Sequence, residues 1–190
     1  MESDLLGEIQ VPKDAYYGVQ TLRGLYNYNI TGVRLSSYRN FIKAFGMIKK
    51  ACIMANGRLG LIKPEIVEAV KQACDEVIEG KLDKEFVVDM IQGGAGTSTN
   101  MNANEVIANR ALEIMGKEKG DYTIVSPNDH INKCQSTNDT YPSSGKLGMY
   151  LDHFELVAEL EKLIDAFEAK AEEFKDVMKM GRTQLQDAVP

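Results

Sequence analysis

The sequence predicts a mainly α chain with little β structure: several helices in its first two thirds, then one long helix that expects a bundle around it. Three observations predict it. Apolar residues recur at three- and four-residue steps in several separate stretches, the period of an amphipathic helix. Glycine and proline punctuate those stretches where helices begin and end. The last stretch is too long for the body that should hold it. Its 35 or so residues make a helix of roughly 52 Å, whereas a compact chain of this length has a diameter of only about 42 Å.

Residues 1 to 36 carry turn residues and scattered aromatics, which predicts extended segments around one short helix from Lys13 to Arg23. Ser36 or Ser37 suits the cap of the next helix, whose stripe is Phe41, Ala44, Phe45, Ile48, Ala51 and Cys52, running to about Asn56. Gly57 and Gly60 end it. Pro64 suits a first helical position, Ile66, Val67, Val70, Ala73, Cys74 and Ile78 form the next stripe, and Gly80 closes it. A helix is then expected from about Asn102 to Met115, closed by Gly116. The long helix spans about Pro142 to Val177. Its stripe, widened by Leu156, Leu160, Leu163 and Phe167, expects neighbours on more than one side. The helical pattern breaks at Gly181, and Pro190 suits the start of another helix, so the bundle is expected to be completed by further chain or other subunits.

The chain has 190 residues, 44% hydrophobic and 26% charged, an ordinary globular balance. Its net charge is −6 and its pI about 5.1. Nucleic acid is therefore a poor partner, since phosphate neutralisation needs a basic face. An anionic small substrate would need a locally positive pocket. The acidic start shows no secretory signal, and no stretch approaches a membrane span. Cys52, Cys74 and Cys134 form no metal pattern, which fits reduced thiols in a cytoplasm.

Two stretches read as polar loops that carry chemistry. Gly93 to Asn100 is glycine-rich and loaded with hydroxyls and amides, and Ser126 to Asp139 holds Asn128, Asn132, Gln135, Ser136, Thr137 and Asn138. Clustered neutral donors bind carboxylate or phosphate oxygens and stabilise charge that develops during a reaction. Helix capping explains any one of these residues, but not all of them together. A P-loop is excluded because no lysine follows the last glycine, and a Rossmann fingerprint because no apolar strand precedes the first. With only His130 and His153 available, no catalytic triad is supported.

Gly93-Gly94-Ala95-Gly96-Thr97-Ser98-Thr99-Asn100-Met101-Asn102-Ala103-Asn104-Glu105-Val106 resembles the first signature segment of the aspartase/fumarase superfamily. The run from Ser126 to Asp139 resembles the second, and Met180-Gly181-Arg182-Thr183-Gln184-Leu185-Gln186-Asp187-Ala188-Val189-Pro190 a further active-site segment. Val11 to Thr21 also fits. Within the superfamily the chain is more similar to the ammonia-lyases acting on aspartate than to class II fumarases, which typically carry histidine where this chain has Ser126 and Gln184.

The resemblance implies removal of a proton beside a carboxylate, an enediolate intermediate and loss of ammonia from the neighbouring carbon. It assigns Thr97, Ser136 and Thr137 to the reacting β-carboxylate, and Asn138, Thr183 and Gln184 to the α-carboxylate and amino group. Lys133 and Arg182 either add positive field or are solvated, and His130 has no catalytic role. The family's base is a serine in a Gly-Ser-Ser-x-Met-Pro loop, expected downstream of Pro190. The resemblance further implies an amino-terminal helical domain over residues 1–140, then the first long helix of a central bundle and the start of a further segment over 141–190. It also implies an amino-terminal part that is inactive alone, a cytoplasmic homotetramer as the parent, and no cofactor beyond Mg²⁺ activation. A class II fumarate hydratase and a non-catalytic helical assembly module are the alternatives.

Overall fold

A computed structural model describes residues 1–188; Val189 and Pro190, and with them the reading of Pro190 as a helix start, lie outside the described residues. The chain forms two units, Met1–Leu151 and the residues from Asp152 onward. Helix accounts for 59% of it, and strands form only two short hairpins among the described residues, so the chain is mainly α with little β structure.

The first unit opens with an antiparallel hairpin of β1 (Glu2–Asp4) and β2 (Gly7–Ile9). Helix α1 is Val19–Asn27, displaced from the expected 13–23. Residues 12–15 form a turn instead, with the Ala15 amide donating to the Pro12 carbonyl. The helix starts where its first amides find carboxylates: Val19 N donates to Glu2 Oε2 at 2.9 Å, and Gln20 N and Thr21 N donate to Glu105 at 2.9 and 3.0 Å. Helices α2 (Arg39–Arg58) and α3 (Pro64–Glu79) follow the predicted stripes, α3 with Pro64 in its first turn and Gly80 in the left-handed conformation after its end.

Helix α4 is Thr97–Ile114. It begins five residues before the expected Asn102, so Thr97 to Asn100, read as loop, are its first turn. Gly96, at φ 84°, supplies the left-handed entry that a side chain would resist. The second polar stretch is likewise less of a loop than the sequence suggests. Pro127–Ile131 is a π-helical turn, and α5 (Thr137–Glu173) begins five residues before Pro142. Pro142 is tolerated near the helix start, where its missing N–H forgoes one bond. The helix ends at Glu173 rather than Val177. The reason is common to both stretches: Ser, Thr and Asn that look like loop formers are also the residues best suited to a helix start.

The core lies between α2, α3 and α4 and includes Ile42, Phe45, Val70, Val77, Ile107 and Leu112, all fully buried. Helix α4 is buried on nearly every side and carries polar residues inward, each bound to another segment. Asn102 accepts from the Val87 amide and donates to the Glu85 carbonyl, and Asn109 donates to the Tyr16 carbonyl and Tyr122 hydroxyl. Gly148 lets the start of α5 approach the backbone of α2, and Tyr141 meets Phe41 edge-on at 5.5 Å.

In the second unit the remainder of α5 exposes its apolar stripe, with Leu163 at 51% and Phe167 at 70%. A hairpin of β3 (Arg182–Thr183) and β4 (Gln186–Asp187) follows. No helix among the described residues is long and apolar enough to cross a membrane.

Candidate active site

The glycine-rich entry to α4 and the start of α5 line one open cleft of about 330 Å³, formed by Gly94, Ala95, Gly96, Asn138, Tyr141 and Pro142 with the segment from Met90 to Gln92. A helix N-terminus carries partial positive charge, so two of them beside one cleft favour negative charge there even in a chain of net charge −6.

Each donor has a defined place. Thr97 is exposed at the first position of α4. Ser136 caps α5 reciprocally: its Oγ accepts from Asn138 N at 3.1 Å while its own amide donates to Asp139 Oδ2 at 3.3 Å. Thr137 is half-buried, and its Oγ1 accepts from Asn100 Nδ2 at 3.3 Å. Asn138 is exposed and lines the cleft. Thr183 and Gln184 belong to the second unit, where Gln184 holds the turn between β3 and β4 at φ 51° and its carbonyl accepts from Arg182 at 2.5 Å. The described part of the first unit therefore brings Thr97, Ser136, Thr137 and Asn138 to two neighbouring helix starts.

Beneath those starts lies a group that the sequence reading missed. Lys49, 1% exposed, projects from α2 and donates to Asn100 Oδ1 at 2.8 Å, Gln135 Oε1 at 2.9 Å and Asn132 Oδ1 at 3.2 Å. Burial pushes its pKa down to about 7. Its three acceptors oppose that pull, because only a charged ammonium donates three hydrogen bonds at once. Asn104 Nδ2 and Asn100 Nδ2 also donate to Asn132 Oδ1, at 3.2 and 3.0 Å. Lys49 was legible in principle: it lies four residues from Phe45 and from Ile53, on the buried face of its helix.

His130 is held within its own turn. Its Nδ1 accepts from Ser126 N at 2.8 Å, closing the π-helical turn, and burial lowers its pKa. No group of three or more His, Cys, Asp or Glu suited to a metal occurs among the described residues.

The family that this fold and these segments define is described as lyase: it matches residues 7–190, and the chain belongs to it. More particularly, its curated relatives include aspartate ammonia-lyases. That of Helicobacter pylori J99 is 55% identical over 190 residues, covering 100% of this chain and 41% of the relative. That of Pseudomonas aeruginosa PAO1 is 55% identical, covering 100% and 40%, and that of Escherichia coli K12 is 52% identical, covering 100% and 40%. The chain thus spans about 40% of the length of the curated relatives it matches. Among solved structures, a fumarate lyase:delta crystallin from Brucella melitensis superposes with a TM-score of 0.92 at 51% identity, covering 100% of this chain and 43% of that one. A class II fumarase from Schistosoma mansoni superposes with a TM-score of 0.86 at 38% identity, covering 100% and 40%.

Proposed function

We propose that this chain is the amino-terminal part of an ammonia-lyase that reversibly converts L-aspartate to fumarate and ammonia. Residues 1–140 form its amino-terminal domain, and 141–190 contribute the first long helix of a central bundle. Identity of 52–55% to aspartate ammonia-lyases along the whole chain supports the substrate. The neighbouring starts of α4 and α5, joined by the Asn100–Thr137 hydrogen bond and flanking one cleft, support the chemistry.

A base supplied outside residues 1–190 removes a proton from Cβ. The electron pair of that C–H bond moves into the β-carboxylate and forms an enediolate, which then collapses to the C=C bond as the Cα–N bond breaks and ammonia leaves. The intermediate carries one more negative charge than the substrate carboxylate. Thr97, Ser136 and Thr137 bind the β-carboxylate and donate to that added charge. Asn138, Thr183 and Gln184 hold the α-carboxylate and amino group. Fixed hydroxyls and amides favour the charged intermediate over the ground state because they need not reorganise as charge builds. The parent is a cytoplasmic homotetramer that needs no cofactor, with Mg²⁺ as an activator to be tested.

Fumarate hydration is the second reading, favoured by the structural likeness to a class II fumarase and weakened by Ser126 and Gln184. The deciding experiment assays the full-length protein with L-aspartate and with L-malate, following fumarate and ammonia. Ammonia release from aspartate without turnover of malate supports the proposal, and the reverse overturns it.

A further inference from the structure

We propose that Lys49 is a positioning residue for the elimination: through Asn100 it fixes the hydrogen-bond direction at Thr137, so that the Thr137 hydroxyl hydrogen is kept for the substrate. The inference rests on the ammonia-lyase reading and deepens it.

The argument is one of donors and acceptors. An ammonium only donates, so the Asn100 atom that meets Lys49 Nζ at 2.8 Å is the amide oxygen. Thr140 Oγ1 donates to the same oxygen at 3.0 Å. With its oxygen held on that side, Asn100 turns its NH₂ the other way, toward Asn132 Oδ1 at 3.0 Å and Thr137 Oγ1 at 3.3 Å. An NH₂ only donates, so Thr137 accepts here. Its own hydrogen then points away from Asn100 and is available to a charge developing outside the network. The chain of direction runs from Lys49 through Asn100 to Thr137, and its origin is a buried cation that cannot reverse the direction while it stays charged. Asn100 and Lys49 are both 1% exposed, so water does not compete for these contacts.

The test uses the full-length protein with L-aspartate. Asn100→Asp keeps the size of the side chain and pairs its charge with Lys49, but presents only acceptors, so Thr137 must turn its hydrogen toward the introduced carboxylate. The expected result is a loss in kcat of about 10², comparable to deleting an oxyanion donor, with KM changed far less. Lys49→Met should lower kcat in the same way. In a Thr137→Val background, where no hydroxyl remains to be directed, Asn100→Asp should have little further effect. A merely structural role would give additive losses in that background. Asn100→Asp decides the question whether or not Lys49→Met folds. Near-wild-type kcat for a folded Asn100→Asp, or full additivity with Thr137→Val, overturns the inference while the lyase reading stands. A wild-type protein inactive on aspartate overturns the reading and the inference together.

Discussion

Glu105 of α4 accepts the Thr21 hydroxyl at 2.6 Å and with the same carboxylate closes the start of α1, taking the amides of Gly18, Gln20 and Thr21 at 2.8, 2.9 and 3.0 Å. A buried side chain 84 residues away thus does the capping that no neighbouring residue does. Burial raises its pKa, and the four donors oppose the rise. Glu105→Ala leaves those donors unpaired and should destabilise the chain by about 3 kcal/mol or more. Glu105→Gln, which keeps one acceptor oxygen, should cost less. Chemical denaturation followed by circular dichroism checks the order; equal stability of wild type and Glu105→Ala contradicts it.

At the crossing of α2 and α5, a Cβ on Gly148 would lie 3.1 Å from Phe41 Cα and 3.3 Å from its amide nitrogen. Backbone cannot swing aside as a flexible side chain does. Gly148→Val should therefore destabilise by about 1–3 kcal/mol through overpacking. A melting temperature at or above wild type would show that the crossing relaxes freely.

Asp89 predicts an acid limb of the stability curve. Burial pulls its pKa up, but the amides of Ile91, Thr31 and Gly32 and the Thr31 hydroxyl outweigh that and hold it well below the ordinary value of 3.8. On acidification the unfolded carboxylate takes up its proton first. Its contribution is therefore present above pH 3.8 and fades as pH falls through the folded value. Asp89→Asn should be less stable than wild type at pH 7 and show a shallower loss of stability below about pH 4. Parallel curves for the two proteins, measured by urea denaturation across pH, would exclude the assignment.

The donor set predicts kinetics in the full-length protein. Thr97→Ala, Ser136→Ala and Thr137→Ala should each lower kcat by about 10²–10³. Gln184 carries an amide that does not titrate near neutral pH, so Gln184→Ala should raise KM more than it lowers kcat. Unchanged kcat in the three hydroxyl variants, or a kcat loss at constant KM for Gln184→Ala, would remove these residues from their roles.

Residues 1–190 expressed alone should release no ammonia from aspartate and should self-associate. The stripe of α5 leaves Phe154 55%, Leu160 47%, Ile164 55% and Phe167 70% exposed. Burying a large apolar side chain gains roughly 1.5–3 kcal/mol, so several together favour association. Light scattering at micromolar to millimolar concentration tests it, and a persistent monomer refutes it.

The sequence alone determined where α2 and α3 run and that one long helix follows α4, because a one-sided apolar stripe, closed for α2 and α3 by glycine or proline, is a local signal that leaves few alternatives. It also determined the family, since the segments around Gly93–Val106 and Ser126–Asp139 are long and specific. Tertiary structure alone decided where α1, α4 and α5 begin. Ser, Thr and Asn suit both loops and first helical turns, and only distant partners such as Glu105 for Thr21, or Asn100 for Thr137, choose between them. The same holds for Lys49. A lysine on an amphipathic helix reads as solvated until three amide oxygens from two other segments close around it, and hydrogen-bond partners far apart in the chain leave no periodic mark in the sequence.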